Sequence, residues 1–571
     1  MPFRFNTRFK VIATTITLVA TVAGLGLASL VNTSANTTHA AQGAATSKLS
    51  PFCTMHAQLC SETTNPWNYA GQYTGHDEPS ALFYSNVPGS GNSSVYNLVL
   101  PKDPPTPPAQ NGSGGTWNFQ LHPAFWFGMA MCDTQSAPDP GVPCAADSDS
   151  NIYNSTNPQS ANYMGKHPGT AFMEMQFYPP SWAPWPAGVS CDPTKWCAAL
   201  NIDSYSSNSN TGQLNNPSCQ AVGVEYVNFA FITLSGKPQP DSPPNPVQAT
   251  LDTYTPNPAY DLYMGSGDRL VVDLHDTPQG FQVVIHDKTT GQTGSMTASA
   301  QNGFGQELFD PTGTSCQNIP YNFHPMYSTS SPETRVLWAA HSYNVAYSDE
   351  IGHFEYCNAV DANFNCTSAG ANDPSGLDGD DTYCLSSPVA STGTTTTGCI
   401  STDNDFDGPE YQNNWPGTNK NHGIDAKLHS TPVAFTSPLF KSDENGEMRN
   451  YQRVAFETDL PRIEGSDVSS NNDCQRHLTD PNPGAGCVNP PNGASFYPIY
   501  TTKTMYGACY WVEGGPYIPG ASHPAGSTSA QQYGGLIKLA YPSVGGILYL
   551  LEDFRNVLNN NPCTAPTVGH R

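Results

Sequence analysis

The sequence predicts a mainly β fold: a large β-sandwich or jelly-roll-like architecture, in one or two packed β domains, interrupted by a disulfide-tied, Asp-rich loop insertion. Three observations predict it. Runs of β-branched and aromatic residues recur along the chain, each bounded by Gly, Pro, Asn or Asp. No segment sustains a helical period. Aromatic residues make up 11% of the 571, beside 50 Gly and 52 Pro, a composition that packs a core and turns often.

Residues 1–40 read as a secretory signal. Arg4, Arg8 and Lys10 precede an apolar run at 11–31, and a small polar stretch leads to a cleavage point after Ala40. The run is also long enough to span a bilayer, so an uncleaved anchor is the alternative. Cleavage would remove three positive charges and no acid, taking the net charge from −25 to −28.

Residues 41–115 read as a leader with a few short strands, closing on PKDPPTPPAQNGSGG, a stiff linker that runs into a flexible one. Residues 116–356 carry the first strand series: TWNFQLHPAFWFGMAM, AFMEMQFYPP, VGVEYVNFAFITL, RLVVDLHD and GFQVVIHD. The last two form a hairpin across Thr277-Pro278-Gln279-Gly280, where Pro presets φ and Gly suits the turn's end. Phe281, Val283 and Ile285 share its apolar face. Residues 357–420 break the pattern with four cysteines, STGTTTTG and most of the acidic clusters, and read as an insertion without a core. Strand signals resume over 421–571, expected to pack on the first series. The best helix candidate is LEDFRNVLNN at 551–560.

Charge and cysteine bound the partners. A chain at −25 with 12% charged residues repels nucleic acid and anionic lipid, so no nucleic acid and, after signal cleavage, no membrane partner is expected. Sixteen cysteines with no Cys-x-x-Cys spacing fit disulfides of an exported protein rather than zinc sites. Near neighbours suggest Cys53 with Cys60, Cys132 with Cys144, Cys191 with Cys197, and Cys474 with Cys487.

Two features could carry chemistry. Asp403, Asp405 and Asp407 alternate ahead of Gly408, and calcium favours several oxygens from one tight loop. The spacing resembles the first half of an EF-hand loop, with Asn414 where the bidentate Glu would stand and no flanking helix. A structural Ca²⁺ on Asp403, Asp405, Asp407 and Asn414 is therefore expected; a solvated acidic turn is the bland alternative. A second acidic cluster, at Asp378, Asp380 and Asp381, is a weaker candidate of the same kind.

The second feature is Glu174 in AFMEMQFYPPSW. Alternation puts Met173, Met175 and Phe177 on one face and Phe172, Glu174, Gln176 and Tyr178 on the other. A carboxylate among aromatics on a polar sheet face suits a sugar cleft, and glycosidases need a second carboxylate nearby. Glu225 and Glu457 are the candidates for it; a half-exposed, hydrogen-bonded glutamate is the plain reading. His122, His167, His324 and His523 each precede Pro, and His341, His353 and Glu355 lie close in sequence, without the spacing of a metal motif. No Gly-x-Ser-x-Gly elbow, phosphate loop or dinucleotide fingerprint is present.

Two functions follow. The first is a secreted, extracellular, calcium-stabilised β protein that binds glycan or extracellular polysaccharide, Tyr and Trp offering flat rings for sugars. The alternative is a secreted glycoside hydrolase or other carbohydrate-active enzyme that uses Glu174 with Glu225 or Glu457.

Overall fold

A computed structural model describes residues 80–103, 124–136, 140–141, 144, 170–180, 191–192, 194–206, 213–222, 225–326, 345–350, 357–360, 366–369, 431–441, 446–459, 500–513, 535–542 and 548–565. Two large antiparallel sheets dominate. The first runs, edge to edge, Gly535–Pro542, Leu548–Leu558, Arg453–Asp459, Ser80–Tyr84, Ala346–Glu350, Ala124–Cys132, Thr170–Tyr178, Cys197–Tyr205 and Glu225–Phe231. The second runs Tyr500–Met505, Ala508–Glu513, Ala434–Phe435, Ser93–Val99, Arg269–His275, Gln282–Asp287 and Thr293–Thr297, with Leu439–Lys441 and Met448–Asn450 attached beside Ser93–Val99. Two small pairs complete the described strands: Gly305–Glu307 with Asn318–Pro320, and Cys357–Val360 with Cys366–Ala369.

The sheets face each other across one core. Tyr96 of the second sheet meets Phe127 of the first with ring centroids 4.3 Å apart, and Phe456 meets Trp511 at 5.3 Å. Period-two alternation supplies this layer: Phe125, Phe127, Met129 and Met131 from one strand, Met173, Met175 and Phe177 from the next, then Leu200 and Ile202. Each sheet mixes strands from both halves of the chain, so the halves form one interleaved sandwich. Residues 41–115, read as leader and linker, supply a strand to the interior of each sheet: Ser80–Tyr84 and Ser93–Val99. Their apolar positions, buried between neighbours, explain why: Ala81, Phe83, Tyr96 and Leu98 all join the core.

The expected hairpin is present. Leu274 pairs with Val283, and Thr277 and Gly280 exchange backbone hydrogen bonds of 3.2 and 3.0 Å. Gly280 has φ +126, and a Cβ there would meet the Ala298 carbonyl at 2.6 Å, so only glycine fits. Val283 and Ile285 are fully buried, as alternation requires. Ile285→Val should cost about 0.5–1.5 kcal/mol, seen as a lower denaturant midpoint with an unchanged slope.

The helix expected at 551–560 is not there. Leu548–Leu558 is a strand paired on both sides, with Arg453–Asp459 and Gly535–Pro542. Its β-formers (Tyr549, Phe554, Val557), held between two partners, satisfy their backbone in the ladder, and this tertiary pairing overrides a short helical pattern.

Four disulfides lie among the described residues. Cys132–Cys144 and Cys191–Cys197 are the expected local pairs. Cys219–Cys316 and Cys509–Cys563 span 97 and 54 residues, beyond the reach of pairing by local spacing. Cys53, Cys60, Cys474 and Cys487 lie outside the described residues. The bonds fit an oxidising, extracellular setting. Among the described residues no helix is long and apolar enough to cross a membrane.

Candidate functional site

Glu174 sits near the middle of its strand, on the outer face of the first sheet. The inner-face residues Met173 and Met175 belong to the core, so alternation turns Glu174 away from it. It is nonetheless only 2% exposed. The Gln176 amide donates to Glu174 Oε2, and the Tyr178 hydroxyl donates to Gln176 Oε1. Positions i, i+2 and i+4 of one strand face thus form a polar relay that ends on the carboxylate.

The neighbouring strands complete the site. Glu174 pairs in register with Asn201 on one side and Gly128 on the other. Gly128 has no side chain, so no Cβ stands directly opposite Glu174 on that strand. Phe172 pairs with Asp203, and Gln176 pairs with Trp126. Asp203 is therefore the diagonal neighbour of Glu174 on the same face, and it is fully buried. Diagonal positions on adjacent strands lie about 7–8 Å apart, with the Cβ atoms somewhat closer.

This register decides between the candidate second acids. Glu457 stands four strands from Glu174, which is about 19 Å at ordinary strand spacing. Glu225 stands two strands away. The residue in line with Glu174 on that strand is Phe229, four positions further along, so the separation is about 17 Å. Neither is brought together with Glu174. Asp203 is, and the pattern could have shown it: in CAALNIDSY, Leu200 and Ile202 take the core face, so Asn201 and Asp203 must share the other.

The other sequence candidates resolve differently. Asp403, Asp405, Asp407 and Asn414 lie outside the described residues, as do Asp378, Asp380, Asp381, His122, His167, His341, His353, Glu355 and His523. Among the described residues no group of three or more His, Cys, Asp or Glu side chains is placed to hold a metal. His324 Nδ1 lies 2.8 Å from Asp276 Oδ1, a local hydrogen-bonded pair. No protein-family model, curated protein or solved structure matches this chain.

Proposed function

We propose that this protein is a secreted carbohydrate-active hydrolase of extracellular polysaccharide, with Glu174 and Asp203 as its carboxylate pair. One observation carries the reading: two buried carboxylates stand diagonally on adjacent strands of one sheet face, beside a position with no side chain. The expected spacing of about 7–8 Å or slightly less suits inverting hydrolysis, in which carboxyl groups about 6.5–9.5 Å apart leave room for a water. The Gln176 amide donates to the Glu174 carboxylate and holds it in place, and Glu174 is assigned the role of general base toward that water. Asp203, between Phe172 and Val227 in register, is assigned the general acid toward the leaving oxygen. Trp126 and Tyr178 supply rings at the margin of the pair. Both acids are closed to solvent, so substrate enters only when this face opens.

The test is reducing-end release from a panel of polysaccharides by the mature chain, with the product anomer followed by NMR. Cleavage with inversion is expected. A panel in which nothing is cleaved removes the enzyme.

A second reading has its own support. Tyr506 and Gly507 form a two-residue turn with both φ values positive, 51 and 78. Positive φ is unfavourable for a bulky residue, yet Tyr506 is 60% exposed with the Arg269 guanidinium 5.0 Å from its ring centre. A ring held outward on a strained turn suits stacking on sugar, and polysaccharide bound without cleavage would favour a non-catalytic glycan binder.

Calcium stabilisation belongs to either reading. A Ca²⁺ on Asp403, Asp405 and Asp407 binds the native state and raises its stability by mass action. With Asn414 in place of the bidentate Glu, affinity should fall near the 10⁻⁴–10⁻³ M range, about that of extracellular modules. Chelation should therefore speed proteolysis within 357–420 in the wild type but not in Asp405→Ala. Equal cleavage with and without chelator would leave the stretch a solvated acidic turn.

A further inference from the structure

A second pair of buried acids, Asp133 and Glu307, lies at the end of the Ala124–Cys132 strand. Asp133 follows the Ala124–Cys132 strand and is 1% exposed; its Oδ1 accepts from the backbone N–H groups of Gln135 and Ser136 at 2.7 and 3.2 Å. Thr134 donates to Gln306 Oε1 at 3.0 Å, which draws the Gly305–Glu307 strand alongside. Glu307 is 2% exposed, and the Ser206 hydroxyl, the Asn215 side chain and the Asn216 backbone N–H approach its carboxylate without reaching hydrogen-bond geometry. Its register partner Asn318 takes the Tyr226 hydroxyl at 2.7 Å.

The surroundings are oxygen-rich. The Ser204 hydroxyl faces Asp133, and the Ser206 hydroxyl and Asn215 side chain face Glu307, near enough to favour the charged forms. The two serines are 1% and 5% exposed, and neither hydroxyl is in hydrogen-bond geometry with any partner. Among the described residues neither acid has a basic partner. Two buried carboxyl groups without a counter-ion are costly, and buried hydroxyl and carboxyl oxygens outside hydrogen-bond geometry are unusual in a folded interior.

We propose that this chamber binds a Ca²⁺ ion between Asp133 and Glu307, with the Ser204 and Ser206 hydroxyls and the Asn215 side-chain oxygen completing its shell. The donors are all oxygens, the set that calcium accepts; Mg²⁺ demands stricter octahedral order, and the site holds no His or free thiol for zinc. The cation would neutralise the pair and engage the two serine hydroxyls, binding the Gly305–Glu307 hairpin to the end of the first sheet.

The test uses the full mature chain carrying Asp405→Ala, so that the Asp403 loop does not contribute. After chelation, added Ca²⁺ should raise Tm by at least about 3 °C, and Glu307→Gln should lose that rise. Ser206→Ala, a milder change, should weaken calcium affinity by calorimetry about tenfold. Tb³⁺ emission sensitised by Tyr226 should appear in the Asp405→Ala chain, fall in Tyr226→Phe and vanish in Glu307→Gln. A calcium response that survives Glu307→Gln overturns the proposal. So does the absence of any calcium response in Asp405→Ala, which would mean that a shared proton occupies the pair instead.

Discussion

Glu174→Gln and Asp203→Asn should each lower polysaccharide cleavage by about 10²–10⁴-fold, the usual contribution of a positioned acid or base. Both changes preserve shape. Gln at 174 keeps a carbonyl for the Gln176 amide, so the relay from Tyr178 can persist while the proton acceptor is lost. The loss should fall on kcat with KM little changed, because the carboxylates act on the bond being broken rather than on remote sugar units. The double variant should be scarcely worse than either single one, since acid and base work as a unit. Gln176→Leu separates positioning from catalysis: it removes the hydrogen bond that orients the Glu174 carboxylate, so kcat should fall, by less than in Glu174→Gln, with KM little changed. Glu225→Gln and Glu457→Gln should leave rates unchanged, given separations of about 17 and 19 Å. Full activity in both Glu174→Gln and Asp203→Asn would remove the pair from the chemistry.

Period-two alternation made much of this legible beforehand. It turned Met173, Met175 and Phe177 inward and Glu174 outward, and the structure has them so. It located the Thr277–Gly280 hairpin, because Pro and Gly mark turns locally. Alternation carries no information about which strands are neighbours. The sequence put forward Glu225 and Glu457 as the second acid and passed over Asp203, 29 positions from Glu174; strand order and register bring Asp203 beside it. The same limit hid Cys219–Cys316 and the central place of Ser80–Tyr84, both products of long-range pairing. At 551–560 a local pattern pointed to helix, and two strand partners decided otherwise. The Asp133–Glu307 pair was invisible for a related reason: its acids come from the end of one strand and from a three-residue hairpin strand.

Stability should fall as pH rises from about 4 to about 7, and Asp261 should account for up to about 4 kcal/mol of that fall. Asp261 is 2% exposed, and burial pushes its carboxyl from 3.8 up to about 7, opposed by the Asn257 backbone N–H. One oxygen, Oδ2, accepts from Asn257 N at 2.7 Å and from Gln239 Nε2 at 3.2 Å; Oδ1 has no partner. Beside burial, the Asn257 N–H is the influence that acts on this carboxyl, and no cation offsets its ionisation among the described ion pairs. Between 3.8 and about 7 the unfolded chain has released this proton and the native chain still holds it. Folding therefore binds a proton, and stability declines with rising pH across that window. Below the window the stabilisation is fully present; above it the native carboxylate is ionised and the loss is complete. Asp261→Asn removes the titration while keeping an oxygen for the Asn257 N–H. Urea midpoints at pH 4 and pH 8 should differ less in Asp261→Asn than in wild type, with the variant the more stable of the two at pH 8. Equal pH dependence in both would show that the Asp261 carboxyl is ionised in the folded chain at no special cost.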